Sequence, residues 1–200
     1  LLGLWSGAVW WGAGRSGREH AVRAAMAIGL AASMAMQIML LWLDGQLTLQ
    51  TGLPLHLCGL FGVLSIPMLL WRAPQPLYEL SAFLAGPAAA VSVLMRLAFL
   101  QLHVLVALTP VMLWRAGKPL PTDPRRALVL ASGYLLAVAA LNRALHTNYL
   151  FLSAAPAGTP LQWLYARGGG YYVCALSMLC MTLFRLLADA YRRAAISGNR

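Results

Sequence analysis

Apolar residues fill the chain in runs of about 18 to 20, the length of helix that crosses hydrocarbon, and polar residues gather in the short breaks between the runs. Six such runs lie at 24–43, 53–71, 77–95, 97–114, 127–146 and 171–188. The apolar stretch 1–12 is too short to cross by itself and reads as the end of a span begun upstream, not as a secretory signal. The pattern predicts an all-α fold: a polytopic membrane helical bundle of about seven transmembrane helices, forming one domain over residues 1–200.

One junction lacks a turn signal. Between the fourth and fifth spans stands "LMRLAF" (94–99), with no Gly or Pro. A single helix over 77–114 would be a rod of about 57 Å at 1.5 Å per residue, far more than the bilayer needs. Charge decides the matter. With two spans, Arg15, Arg18, Arg23, Arg72, Arg115, Lys118, Arg125, Arg126, Arg185, Arg192, Arg193 and Arg200 share one side, and Arg96, Arg143 and Arg167 the other, twelve against three. Merging the two spans gives six against eight and strands Arg96 midway. The positive-inside rule therefore selects seven spans with the C-terminus cytoplasmic.

Composition narrows the class. Sixty per cent of the 200 residues are hydrophobic and 10% charged, against roughly a quarter charged in soluble domains. The net charge of +10 comes from basic residues that punctuate the spans. They build no zinc-finger, basic-zipper or RNA-binding motif, so membrane lipids rather than nucleic acid are the expected partners; the sequence names no protein partner. Three cysteines with no CxxC spacing, two of them (Cys174 and Cys180) in one apolar run, imply neither a disulfide framework nor a zinc site. No metal or cofactor is expected.

The polar residues inside the spans converge at one depth. Span three carries His56 and Cys58 one turn below the outer surface, and span five carries His103 about two turns deep. Span six ends in Asn142, His146, Asn148 and Tyr149, the first, second and fourth spaced i, i+4, i+7 and so on one helical face. Intramembrane polar groups are costly and are functional candidates by default. Pro54 suits a first-turn position with Thr51 or Gly52 as cap, which puts Cys58 near a helix N-terminus, where the dipole stabilises negative charge. On a regular helix about 200° separates His56 from Cys58. The base for a Cys58 nucleophile is then expected from another span, and His103 is the best placed, while His56 faces a different neighbour. Gly62 and Ser65 continue the Cys58 face and are expected to leave room for a substrate chain. Ala82, Gly86 and Ala90 form a small-residue stripe for helix packing, Pro67, Pro87 and Pro110 kink three successive spans, and "RGGGYY" (167–172) reads as a flexible lid or linker.

These elements resemble a known family. "LPLHLCG" entering one span, "LQLHVLVALTP" two spans later and "NRALHTNYLFLSAAP" leaving the next are similar to the YwaF-type bacterial integral membrane proteins. Those in turn resemble eukaryotic transmembrane protein 164, a cysteine-dependent phospholipid acyltransferase. The resemblance covers about residues 50 to 165. It implies a seven-helix bundle in a bacterial plasma membrane, Cys58 as acyl acceptor, His103 as base, and His56 and Asn148 as signature residues beside Tyr149. The chain departs from the family in a shorter fourth-to-fifth connection, and in "YARGGGYY" where a Trp/Pro-rich stretch is expected.

The expected function is therefore a lipid acyltransferase or transacylase working through an acyl-cysteine at the outer half of the bilayer. His56, Asn142, His146, Asn148 and Tyr149 are the candidate binding and oxyanion groups. A non-enzymatic small-molecule binder or transporter with an outward polar pocket is the alternative, although no internal repeat of the transporter kind is visible. An accessory subunit packing on a partner is the third reading.

Overall fold

The computed structural model describes residues 2–12, 16–71, 73–94, 100–155 and 158–197. Among them every regular element is helical: α1 (Leu2–Gly12), α2 (Ser16–Leu43), α3 (Leu49–Gly52), α4 (Leu57–Leu70), α5 (Gln75–Leu94), α6 (Leu100–Arg115), α7 (Arg125–Leu145), a 3-10 turn (Tyr149–Phe151), α8 (Pro160–Tyr165) and α9 (Gly169–Ser197). The expected all-α membrane bundle is what the chain forms. Its contacts gather into two compact units, Leu1–Pro121 and Thr122–Arg200, each described by itself below.

Among the described residues three helices are long and apolar enough to cross a bilayer: Arg18–Leu43 within α2, then α7 and α9. They present Ile28, Met36, Trp42, Val129, Leu136, Met178 and Leu186 outward. In water such a surface would drive aggregation, but in hydrocarbon it faces its own solvent. Helices α4 and α6 are apolar but shorter.

In the first unit α5 and α6 form the most extensive helix pair, and α2 packs on both α4 and α6, with α1 against α2 and α6. Stretch 77–114 is thus two packed helices and not one rod, as the charge argument required; the junction 95–99, with Arg96, lies outside the described residues. Pro67, Pro87 and Pro110 sit inside α4, α5 and α6 as expected.

One end of this unit is closed by cations. Arg23, near the start of α2, donates from Nε to the Leu69 carbonyl and from Nη2 to the Trp71 carbonyl, both at 2.7 Å. Those carbonyls belong to the end of α4, where backbone acceptors have no helical partner. Lys118 Nζ, just past α6, donates to the Ala73 carbonyl ahead of α5 at 2.7 Å. The starts of α2 and α5 and the ends of α4 and α6 therefore share a face with Arg18, Arg23, Arg115 and Lys118. This grouping agrees with the charge partition; Arg15, Arg72 and Arg200 lie outside the described residues.

Glycines set how closely the helices approach. A Cβ on Gly62 would stand 3.0 Å from Met34 Sδ and 3.1 Å from Leu102 Cδ1, and one on Gly29 3.0 Å from Leu105 Cδ1. Gly62 thus holds α4 tight against α2 and α6, and the substrate room expected beside it is filled by Met34 and Leu102. At Gly86 a Cβ would meet nothing within 4 Å, so the close approach expected of the Ala82–Gly86 stripe is not made there.

In the second unit "RGGGYY" is a helix junction and not a lid. Gly168 takes φ +123° after α8, and the next two glycines begin α9. Tyr172 is buried in that first turn, its hydroxyl donating to the Phe151 carbonyl at 3.0 Å and its ring edge-on to Tyr165 at 5.6 Å.

The Arg23 fork outweighs the Arg23–Glu19 ion pair at 3.1 Å beside it, since an i,i+4 pair is worth only about 0.3–0.5 kcal/mol. Arg23→Met is expected to cost about 2–4 kcal/mol in reversible unfolding in detergent micelles, the scale of hydrogen bonds from a charged donor. Glu19→Gln should cost less than 1 kcal/mol on that scale.

Candidate functional site

The local chain around Cys58 breaks where a continuous helix was expected. Thr48, not Thr51 or Gly52, caps the short helix α3: its Oγ1 accepts from the Thr51 N–H, and Thr51 Oγ1 accepts from the Thr48 N–H at 2.9 Å. The backbone is then extended at Leu53 (φ −78°, ψ 134°) and again at His56 (φ −74°, ψ 149°), and α4 starts only at Leu57. Pro54 explains the break, because it disfavours helical backbone in the residue before it. Gly59 completes it: a Cβ there would lie 3.0 Å from Pro54 Cα. Only a residue without a side chain lets 53–56 fold over the first turn of α4.

Two expectations change as a result. Pro54 is outside the helix, and His56 is its N-cap rather than part of it, so the 200° separation from Cys58 does not apply. Counted from its closed basic end, α4 with 14 residues rises about 21 Å at 1.5 Å per residue, against about 30 Å of hydrocarbon. Irregular backbone beside such a helix in a membrane protein has to be buried in protein or line a cavity.

It lines a cavity. A space of about 230 Å³ is bounded by Gln37 of α2, Thr51 of α3, His56 and Cys58 at the start of α4, and His103 of α6, with apolar side chains between them. His103 is buried on α6. The structure therefore brings Cys58, His103 and His56 to one space at the end of the unit opposite the cations. His56 was expected to face elsewhere, yet it shares the cavity because the extended backbone at 53–56 redirects it.

Cys58 has a further neighbour. Its Sγ lies 3.8 Å from Ser92 Oγ on α5. Ser92 gives its one hydroxyl proton to the Ala88 carbonyl at 2.9 Å, so the contact runs from the thiol S–H to the serine oxygen. Ser92 and Gln37 were not legible as site residues. A serine bonded to its i−4 carbonyl is ordinary in membrane helices, and Gln37 is one polar residue in "MAMQIML".

The other sequence candidates belong to the second unit and are organised differently. Helix α7 ends at Leu145 because His146 turns left-handed (φ 51°, ψ 41°), so Asn142, His146 and Tyr149 do not share a helical face. Asn142, buried, binds the returning chain instead. Its Oδ1 accepts from the Tyr149 N–H at 2.8 Å and the Thr147 hydroxyl at 3.0 Å, and its Nδ2 donates to the Tyr149 carbonyl at 2.9 Å. Asn148 does the same one loop later, accepting from the Ser153 and Ala154 N–H groups at 2.9 and 3.1 Å and donating to the Ala154 carbonyl at 2.9 Å. Tyr149 is fully buried and His146 exposed. Cys174 is exposed and Cys180 half-buried on α9.

The whole pattern has a match among known families. A model of the TMEM164 family covers residues 1–188, so the chain belongs to that family. With its apolar helices, this makes it an integral membrane protein. No curated protein and no solved structure matches it.

The two asparagine-bound loops yield a stability test. Asn142→Leu strands the buried Tyr149 N–H and the Thr147 hydroxyl and is expected to cost about 2–4 kcal/mol of unfolding free energy. His146→Gly removes a left-handed side chain, and should leave stability unchanged or raise it by up to about 1 kcal/mol. Denaturation of both variants in the same detergent checks the pair.

Proposed function

With membership of the TMEM164 family as premise, we propose that the protein is a membrane lipid acyltransferase or transacylase that carries the acyl group on Cys58. The observation that carries this reading is the shared cavity, in which a thiol at a helix start faces two histidines inside an apolar bundle. A thiol there needs a base, and His103 is buried on the neighbouring helix. Ser92 already donates to Ala88, so it holds the resting thiol proton without being able to remove it.

The chemistry runs in two half-reactions. His103 takes the Cys58 proton, and the sulfur attacks the carbonyl of a lipid ester. The carbonyl pair moves onto oxygen, then returns as the ester C–O bond breaks, and the departing alkoxide takes the proton from His103. An acyl-thioester and a lyso-lipid result. A second lipid hydroxyl, or water, then gives its proton to His103 and attacks the thioester, restoring the thiol. The His56 side chain makes no capping bond to the first turn of α4, which leaves those N–H groups to meet negative charge at Cys58. Asn142, Asn148 and Tyr149 serve here by shaping the loop after α7, and His146 by ending the helix.

Intact-protein mass after incubation in phospholipid vesicles tests the reading. The wild type should gain one fatty acyl group that hydroxylamine removes. Cys58→Ala should gain none, while Cys174→Ser and Cys180→Ser behave as wild type. His103→Ala should slow adduct formation by about 10²–10⁴-fold, the usual contribution of a placed base. An equal adduct in wild type and Cys58→Ala, mapping to another residue, would remove Cys58 from the mechanism. No adduct, together with solute binding that survives Cys58→Ser, would favour a small-molecule binder.

The same reading puts the cavity on the outer side of the plasma membrane and the cationic end in the cytoplasm. In a background with all three cysteines replaced by serine, a cysteine at Gln46 should react with an impermeant maleimide in sealed cells, and one at Lys118 should react only after lysis. Outside labelling at 118 would invert the orientation.

A further inference from the structure

Acyl transfer through Cys58 puts a negative charge on the former carbonyl oxygen in each half-reaction, and a water-poor cavity has to supply hydrogen-bond donors for it. The carboxamides that the sequence offers first, Asn142 and Asn148, are bonded within their own loops. Gln37 differs from both. It stands on α2 with Met34 and Ile38, all three lining the cavity that holds Cys58 and His103. Their i, i+3, i+4 spacing puts them on one face of the helix, so Gln37 faces the cavity from α2. Its carboxamide has no hydrogen-bond partner among the described residues. An apolar membrane helix carries such an amide at a cost unless something bonds to it.

We propose that Gln37 is an oxyanion donor of the acyl-transfer site. As the Cys58 sulfur bonds to the ester carbon, the carbonyl pair moves onto oxygen, and the Gln37 Nε2–H groups hydrogen-bond to that oxygen. When the oxyanion collapses and the C–O bond breaks, the bonds weaken again; the second half-reaction repeats the cycle on the thioester. His103 moves the proton and Gln37 holds the charge. This inference rests on Cys58 being the acyl carrier.

Gln37→Met tests it, because methionine keeps the length of the side chain and removes both N–H donors. Two rates are measured in phospholipid vesicles: hydroxylamine-sensitive acylation of Cys58, and alkylation of Cys58 by iodoacetamide. Alkylation is a displacement at saturated carbon and passes through no oxyanion. Acylation should fall about 10²–10³-fold, the usual loss on removing one such donor, while alkylation stays at the wild-type rate. Gln37→Leu, run beside it, should give the same split, so that a folding failure in one variant leaves the other to decide. Acylation at the wild-type rate in the variants would overturn the role of Gln37, and so would a parallel fall in both rates, which marks packing. A wild type that forms no Cys58 adduct overturns the acyl-carrier reading and this inference together, which separates that failure from the other two.

Discussion

The last turn of a helix has four backbone carbonyls with no partner inside the helix. The Arg23 fork meets this constraint at the end of α4, with 2.7 Å bonds to the Leu69 and Trp71 carbonyls. Much else in the first unit follows from it. It fixes α2 and α4 as antiparallel neighbours and anchors the last turn of α4 at the cationic face. With only 14 residues, α4 rises about 21 Å at 1.5 Å per residue, less than the hydrocarbon thickness. Cys58 sits in its first turn, at the end away from the cations.

Glycine then separates packed bundle from cavity. Below Cys58, Gly62 lets α4 close on Met34 and Leu102, and Gly29 lets α2 close on Leu105. Above it, Gly59 admits the Pro54 segment over the first turn of α4. The open space is thereby confined to the end where the helix starts and the histidines lie. Met34 and Leu102 have two functions, since they fill the gap over Gly62 and also floor the cavity.

The all-helical membrane bundle was legible because it follows from the bilayer: hydrocarbon thickness sets the length of the apolar runs, and cationic breaks separate them. The meeting of Cys58 with His103 was legible as shared depth. What failed were inferences from regular helix geometry carried across a break. Pro54 and Gly59 unwind the segment that holds His56, and the angle computed for an unbroken helix became irrelevant. His146 ends α7 in a left-handed conformation where glycine would be the usual signal, so the i, i+4, i+7 reading of Asn142, His146 and Tyr149 had nothing in the sequence to stop it. "RGGGYY" misled by composition. Glycines suit a flexible linker, but here they make room for a tight turn and a helix start, and the sequence does not reveal that Tyr172 is anchored on Phe151.

The polar residues of the bundle thus divide by where their hydrogen bonds go, a distinction that depth alone cannot draw. Arg23, Lys118, Asn142 and Asn148 bond to backbone groups that turns and helix ends would otherwise leave bare. Each is explained by the cost of an unmet buried donor or acceptor, about 1–3 kcal/mol apiece, and needs no ligand to justify it. Gln37 has no such explanation, and Cys58 has only a weak sulfur contact to a serine already bonded elsewhere. These two line one cavity from α2 and α4, with His56 and His103 also on its wall. A nucleophile, a base and a donor for the charge that develops between them are what acyl transfer requires. Among the polar groups of the cavity, Cys58 and Gln37 keep the hydrogen-bonding capacity that such a reaction would use.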